Sequence, residues 1–423
     1  MLFNEQPKEL QELYKQMLRS AGALSNLFSD NDAPYIVSRN VENAFCEAFG
    51  AENLGRSDCS ADASLNGVGI GVKTFIHGNG KTLQKVAEFN KDAVLYKNLQ
   101  PKELIYTVAN LRNERIEFTM RTYGLDSMIY HCVTRLPGKI LIFESTMDQI
   151  DIPNIKNIDV SNKNTITFDD GKNEYSFNLT KSTLYKRFFT DDPLTEINVS
   201  ILEKPYVSLA KLFDTFQPQS QFFTSKSIME QFDFFTNNKN TANVIEPSSG
   251  SGSFLMEALQ QYQIKSKRKF ESRDFVILPL FSDRGNKRHV PEKSGLNQWN
   301  ASGRPRHHDE VYIPIPKWIH DVFPSFFPPR DESFQLNLPD KSLLSAKVCQ
   351  ENSKALMTNP NRDLGEWMLR KVLGLAEREL LTFEKLEILG IDSVNVYKHS
   401  DKHYSIDFCD IGTFDEFQAE NQK

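Results

Sequence analysis

The stretch SGLNQWNASGRPRHHDEVYIPIPKWIH, Ser294 to His320, is the most distinctive in the chain. A polar loop runs into an alternating segment, Glu310 to Ile315, that reads as a strand. Arg284, Lys287, Arg288 and Lys293 precede the loop, and Arg304 and Arg306 lie within it. Asn297, Gln298, Trp299 and Asn300 are interleaved with these cations. Arginine and lysine suit phosphates and guanine edges, whereas asparagine and glutamine suit adenine edges. A second polar loop, Gln350 to Arg362, follows the strand-like SLLSAKVCQ and carries Asn352, Lys354 and Asn359. Further strands are expected at 274–280 and 334–338, and amphipathic helices at 364–373 and 382–389.

From near Asp274 to the end, this region resembles the B-three-like DNA-binding domain of restriction endonucleases, of the NgoFVII, BfiI and EcoRII type. SGLNQWNASGRPR, EVYIPIPKWIH and AKVCQENSKALM are the specific phrases. The resemblance implies a mainly-β pseudobarrel that grips the major groove of double-stranded DNA between two arms. By position, the N-arm is 294–306 and the C-arm 350–361. It implies base readout by Asn297, Gln298, Arg304, Gln350, Asn352 and Lys354, with Trp299 serving either readout or packing. The same family joins this domain to a nuclease whose histidine lies two residues before a lysine. None of the eight histidines here has a lysine at that spacing. The cutting chemistry is therefore expected elsewhere in the chain.

The 423 residues suffice for two or three domains with real cores. With 39% hydrophobic and 25% charged residues, the composition is that of a folded protein. A net charge of -6 gives no global attraction to nucleic acid, so DNA binding rests on local basic patches. The five cysteines have neither CxxC nor zinc-finger spacing and are expected as free thiols in a reducing cytoplasm. The start of the chain lacks the pattern of a signal peptide, and no apolar run is long enough for a membrane span.

Near the N-terminus, GRSDCSADASLNGVGIGVKTF (Gly55 to Phe75) reads as a glycine-rich hairpin. Helices are expected at 8–28 and at 35–49, the second stopping at Gly50. Period-two alternation puts Gly69, Gly71, Lys73 and Phe75 on one strand face. Magnesium-assisted phosphodiester hydrolysis needs hard oxygen ligands and a cation beside the attacking water. Asp62 at the turn and Lys73 on the next strand supply both types. The spacing resembles the PD-(D/E)xK nuclease fold, with one departure. The acid two residues before the lysine is replaced by Gly71. Some members move that acid to the following helix, which points to Glu88 within KTLQKVAEFNKD, a stretch expected to be helical over 81–98. Glu42, with Arg39 one turn before it, is a further acid, and Asp58 rivals Asp62. The resemblance implies Asp62, Lys73, Glu88 and Glu42 as catalytic, with Asp62 and Glu88 holding Mg²⁺. A helix at 101–122 and strands at 127–135, 139–145, 165–168 and 173–179 complete an α/β domain. KSTLYKRFF (Lys181 to Phe189) reads either as a DNA-phosphate contact or as an amphipathic helix with Leu184 and Phe188 in the core.

Between these regions lies VIEPSSGSGSFLMEAL, strand, glycine turn and helix in pattern. With QFFTSKSIMEQF before it, the phrase resembles the cofactor-binding motif of adenine methyltransferases. The full sheet such an enzyme needs does not follow, and its Asn/Asp-Pro-Pro-aromatic tetrapeptide is missing. The nearest match is Asn359-Pro360-Asn361-Arg362. A linker that converged on the phrase is the expectation.

The sequence is thus expected to fold as an α/β restriction-endonuclease-like domain over 1–200, a linker or small subdomain over 201–270, and a B-three-like recognition domain over 271–423. The expected activity is Mg²⁺-dependent, site-specific cleavage of double-stranded DNA, with a cognate DNA methyltransferase as functional companion and a homodimer as assembly. The alternative from another class is a DNA-binding protein whose nuclease domain no longer cuts.

Overall fold

The computed structural model describes residues 1–54, 59–78, 81–162, 164–215, 274–284 and 287–422, without the side chains of 81, 161, 162, 211–215 and 284. Two compact units are present. One joins Met1–Glu203 to Phe275–Lys423, so the expected catalytic and reading regions share a single unit. The other is Lys204–Asp274, of which a helix at Pro205–Thr215 is described. The glycine phrase, the target-loop-like phrase and Asp58 lie outside the described residues.

The N-terminal part begins with helices α1 (Leu2–Glu5), α2 (Lys8–Ala23) and α3 (Ser38–Phe49). Gly50 ends α3 at φ 66°, a left-handed conformation that glycine adopts without steric cost. Strands β1 (Glu52–Asn53), β2 (Ala63–Leu65) and β3 (Val68–Ile76) follow. Asn66 and Gly67, both at positive φ, make the turn between β2 and β3, as the asparagine–glycine pair predicts. With β5 (Ser127–Leu136), β6 (Lys139–Thr146) and β11 (Thr195–Asn198) they form a sheet of order β1-β2-β3-β5-β6-β11. β3 and β5 run parallel, with Val72 opposite His131 and Lys73 opposite Cys132. Ile70 and Val72 enter one core with α2 and α3. Phe75, on the opposite face of β3, enters another with Ile116.

The helix expected over 81–98 is instead strand β4 (Lys81–Glu88) followed by a short helix α4 (Ala93–Tyr96). Likewise 183–189 forms a strand, β10 (Thr183–Phe189), where a helix was one expectation. The two pair antiparallel along their length, and this long-range pairing overrides the helix propensity of the Lys, Gln and Leu residues of β4. β7 (Lys156–Asn162), β8 (Thr165–Asp169) and β9 (Glu174–Asn178) complete a second sheet of order β4-β10-β9-β8-β7. The Asp169-Asp170-Gly171 stretch, whose residues favour a tight turn, joins β8 to β9, with Gly171 at φ 84°.

Helix α5 (Pro101–Tyr123) is the spine of the unit. Proline at its first turn costs no hydrogen bond, and Gly124 caps it in the left-handed region. Leu104, Ile105 and Val108 pack with the second sheet, Ile116 with the first, and Phe118 with the C-terminal core. Apolar residues therefore occur all round it, as in a helix buried on every side.

The C-terminal part is mostly β. Its strands are β12 (Phe275–Pro279), a β13–β14 hairpin (Ser282–Arg284, Lys287–His289), β15 (Ile313–Pro314), β16 (Ser333–Asn337), β17 (Leu343–Cys349), β18 (Ala355–Thr358), β19 (Ile391–Ser400) and β20 (His403–Asp410). The seven-stranded sheet has the order β12-β19-β20-β16-β17-β18-β15. Its outermost strands, β12 and β15, touch, so the sheet nearly closes into a barrel. The strand expected over 310–315 shrinks to β15, because Pro314 and Pro316 offer no N–H for pairing. The expected helix at 364–373 is largely a π-helical segment, Glu366–Val372, and that at 382–389 is Phe383–Leu389, capped by the Thr382 hydroxyl. All five cysteines are free thiols. Among the described residues, no helix is long and apolar enough to cross a membrane.

Candidate nuclease centre and DNA-reading arms

The hairpin register positions Asp62. Its N–H donates to Ile70 O at 2.7 Å, and Leu54 N donates to its carbonyl at 2.9 Å. Its Oδ2 accepts the Val72 N–H at 2.6 Å, which anchors the carboxylate to the backbone of β3 one residue before Lys73. Burial raises the Asp62 pKa above the ordinary 3.8, while Lys73, the Val72 N–H and Arg39 pull against that rise and Glu42 adds to it. Burial lowers the Lys73 pKa below its ordinary 10.5, Asp62 opposes that, and Arg112 adds to it. Both groups are partly buried, and burial pushes the two pKa values toward each other, the condition under which they move toward chemically useful ranges.

Glu42, on α3, is nearly buried and ion-paired with Arg39 at 3.0 Å. Helix α3, which carries Glu42 and Arg39, packs against β2 and β3, and both groups act electrostatically on Asp62, as Lys73 does. Glu88 does not join them. It ends strand β4 in the second sheet, half-exposed, with Lys85 Nζ at 2.8 Å and an Asn90 amide on its other oxygen. The helix that would have delivered it to the centre does not form. The strand position of the missing acid is also filled. A Cβ on Gly71 would lie 2.5 Å from Met147 Cε and 3.3 Å from Tyr130 Cδ1.

Two residues that spacing alone did not reveal, Arg112 and Lys186, lie against Tyr130. Arg112, buried on α5, donates to the Tyr130 hydroxyl at 2.9 Å and to Ser60 Oγ at 2.8 Å. Lys186, also buried, lies over the Tyr130 ring at 5.4 Å, with Lys73 over the same ring at 6.0 Å. Among the described residues Arg112 has no carboxylate partner within ion-pair distance. Lys186 comes from the KSTLYKRFF segment, with Leu184 and Phe188 in the core as anticipated but on a strand.

In the C-terminal part, the expected DNA-contacting residues divide. Asn297 is fully buried. Its amide donates to Pro291 O and Leu381 O and accepts Leu381 N–H at 3.0 Å, so it ties the N-arm to the barrel and is not free to read bases. Arg288 is a clasp, with Asp415 at 2.7 Å, Asp392 at 3.6 Å and the Phe281 ring at 4.6 Å. Trp299 packs against the core. Trp299 Nε1 and Gln298 Oε1 are buried without a hydrogen-bond partner. Asn300 donates to Glu292 O. Arg304 forms a forked pair with Glu310 at 2.6 and 3.2 Å, and Arg306 donates to Ala301 O and Ser302 O, shaping the loop. The Arg284 side chain lies outside the described residues. Lys287, Asn352, Lys354 and Asn359 are exposed. Gln350, Asn352 and Ser353 all have positive φ, an uncommon run of left-handed backbone in the C-arm.

Immediately after the N-arm, His307, His308 and Asp309 cluster, with ligand-type atoms within 4.8 Å of one another.

Residues 255–400 match the family model of the NgoFVII C-terminal B3-like DNA-binding domain. The described part of that span holds six of the seven strands of the nearly closed sheet, all but β20, and both polar loops. No curated protein matches the chain significantly.

Proposed function

We propose that the chain, whose residues 255–400 match the DNA-binding domain of a restriction enzyme, is a site-specific deoxyribonuclease of the restriction type, cutting double-stranded DNA with Mg²⁺. The observation that carries the cutting half is the Asp62 carboxylate anchored by the Val72 N–H on the β2–β3 hairpin, with Lys73 on β3 and Glu42 on the α3 helix packed against it as charged groups that act on it. Asp62 and Glu42 offer the hard carboxylate oxygens that Mg²⁺ prefers, so the donor set fits the ion, with Glu42 in the place first assigned to Glu88. When bound, the ion would supply charge neutralisation at phosphorus and a more acidic water.

The remaining work falls to the chain's own residues. The Val72 N–H fixes the orientation of the Asp62 carboxylate. Lys73, desolvated beside it, offsets negative charge that builds on the phosphate. Arg112 and Lys186 add buried positive charge around Tyr130, which favours an anionic phosphodiester nearby. The exposed C-arm residues Asn352, Lys354 and Asn359 read or grip DNA, and Lys287 adds a phosphate contact. A functional companion methyltransferase, a homodimer that makes two cuts, and residence in the cytoplasm accord with this reading.

One observation favours a second reading. The space of the usual strand acid is filled by Met147 and Tyr130, so β3 offers Lys73 without an acid two residues before it. A DNA-binding protein that does not cut would have the same gap. Incubation of the full chain with mixed-sequence phage DNA, with Mg²⁺ or EDTA, separates the two. Discrete fragments only with Mg²⁺ establish the nuclease. Intact DNA with a clear gel shift leaves a reader.

A further inference from the structure

We infer that His307, His308 and Asp309 form a binding site for a transition-metal ion of the zinc class at the root of the N-arm. The inference stands apart from the nuclease reading, since it rests on other residues and another kind of ion.

The ligand atoms already face one another. Asp309 Oδ2 lies 3.1 Å from His308 Nε2 and 3.6 Å from His307 Nδ1. The two imidazole rings have centroids 4.1 Å apart. The histidines are partly exposed and the carboxylate is buried, so an ion could enter from solvent onto a fixed anionic base. Imidazole nitrogen with carboxylate oxygen suits zinc, nickel or copper and disfavours magnesium.

A second, independent feature points the same way. Groups that bind metals are usually held by outer partners that fix their orientation and tautomer. His308 Nδ1 faces Glu377 Oε1 at 3.2 Å, the position of a carboxylate that accepts from an Nδ1–H and leaves the Nε2 lone pair toward a metal. Asp309 Oδ1 is held by Arg370 Nε at 2.7 Å, which leaves Oδ2 toward the histidines. Arg370 also donates to His308 O at 2.9 Å. The backbone is clamped too, since a Cβ on Gly365 would sit 2.0 Å from Asp309 O. Three protein ligands leave a position for water or for an incoming group.

The test is a titration of the full, metal-free chain with Zn²⁺ by calorimetry and with Co²⁺ by visible spectroscopy. The expected result is one ion per chain, with a d–d spectrum of nitrogen and oxygen ligation. The His307→Ala and His308→Ala variants should each lose it. Glu377→Gln keeps all three ligands and should weaken binding by about 10- to 100-fold. Circular dichroism of each variant distinguishes loss of ligands from loss of fold. Binding that survives in the double histidine variant would overturn the inference, as would a thiolate charge-transfer band, which would place the ion on cysteine. Absence of binding at tens of micromolar Zn²⁺ would overturn it equally.

Discussion

Asp62 Oδ2 accepts the Val72 N–H at 2.6 Å, so the carboxylate is anchored to the backbone of the residue that precedes Lys73. A two-residue strand shift would break that bond and separate the pair. The proposed centre thus depends on the register of the β2–β3 hairpin, with Ala63 opposite Ile70. Lys73→Ala should reduce DNA cleavage on the order of 10²–10³-fold while leaving the gel shift intact. Equal loss of both would show that Lys73 holds the fold and not the reaction.

The same pair sets a pH dependence. Burial places the folded-state pKa of Asp62 above its ordinary 3.8. The stability this group contributes is therefore fully present below pH 3.8 and is lost as pH rises through the raised folded value. Cleavage, which needs the ionised carboxylate, should fall on the acid side at a higher pH than an ordinary aspartate would give. Urea titrations from pH 3 to 7 should show Asp62→Asn lacking that stability slope. An identical slope in the variant would assign it to another group.

Asn297 and Asn352 should behave oppositely. Asn297→Ala removes a buried amide that bridges Pro291 O and the Leu381 backbone, and should cost about 1–3 kcal/mol of stability. Asn352→Ala touches an exposed C-arm residue and should lower specific DNA affinity by about 1–3 kcal/mol without moving the melting temperature. Melting curves and competition gel shifts on both variants measure the contrast.

Gly365 is a close-approach glycine, with its missing Cβ 2.0 Å from Asp309 O. Backbone cannot yield as a flexible side chain can. Gly365→Ala should cost at least about 1–3 kcal/mol and loosen the root of the N-arm. Limited proteolysis within 294–306 would report the loosening, and an unchanged cleavage pattern would count against it.

Phe118 lies on α5 but belongs to the C-terminal core, with its ring 5.4 Å from Phe408. Arg121 donates to Val372 O at 2.9 Å and Lys385 pairs with Glu114 at 3.3 Å. Phe118→Ala should destabilise the chain by about 3–5 kcal/mol and should do so for both parts at once. Two separate melting transitions, with the N-terminal one unmoved, would contradict the shared core.

Local patterning was enough for much of this molecule. Asn66-Gly67 encodes its turn, Gly50 ends its helix, and Asp169-Asp170-Gly171 closes its hairpin, because those backbone angles are set by the residues themselves. Asp62, Lys73 and Glu42 can be named together as candidates because hairpin register and helix position follow from short-range pattern. The phrases of the C-terminal part identified the reading domain, since a family match needs only the order of residues.

What sequence could not decide was set by partners distant along the chain. Strand β4 has residues that favour helix, and its identity comes from pairing with β10 about a hundred residues later. That pairing carries Glu88 away from the centre. Polar type likewise says nothing of exposure. Asn297 and Arg288 have the chemistry of base and phosphate contacts, yet the barrel closes around one and three aspartates claim the other. Arg112 and Lys186 lie far apart in sequence and meet at Tyr130 only because α5 packs against the sheet. Sequence determined which groups were available, and tertiary packing, through burial and long-range pairing, decided which of them could meet.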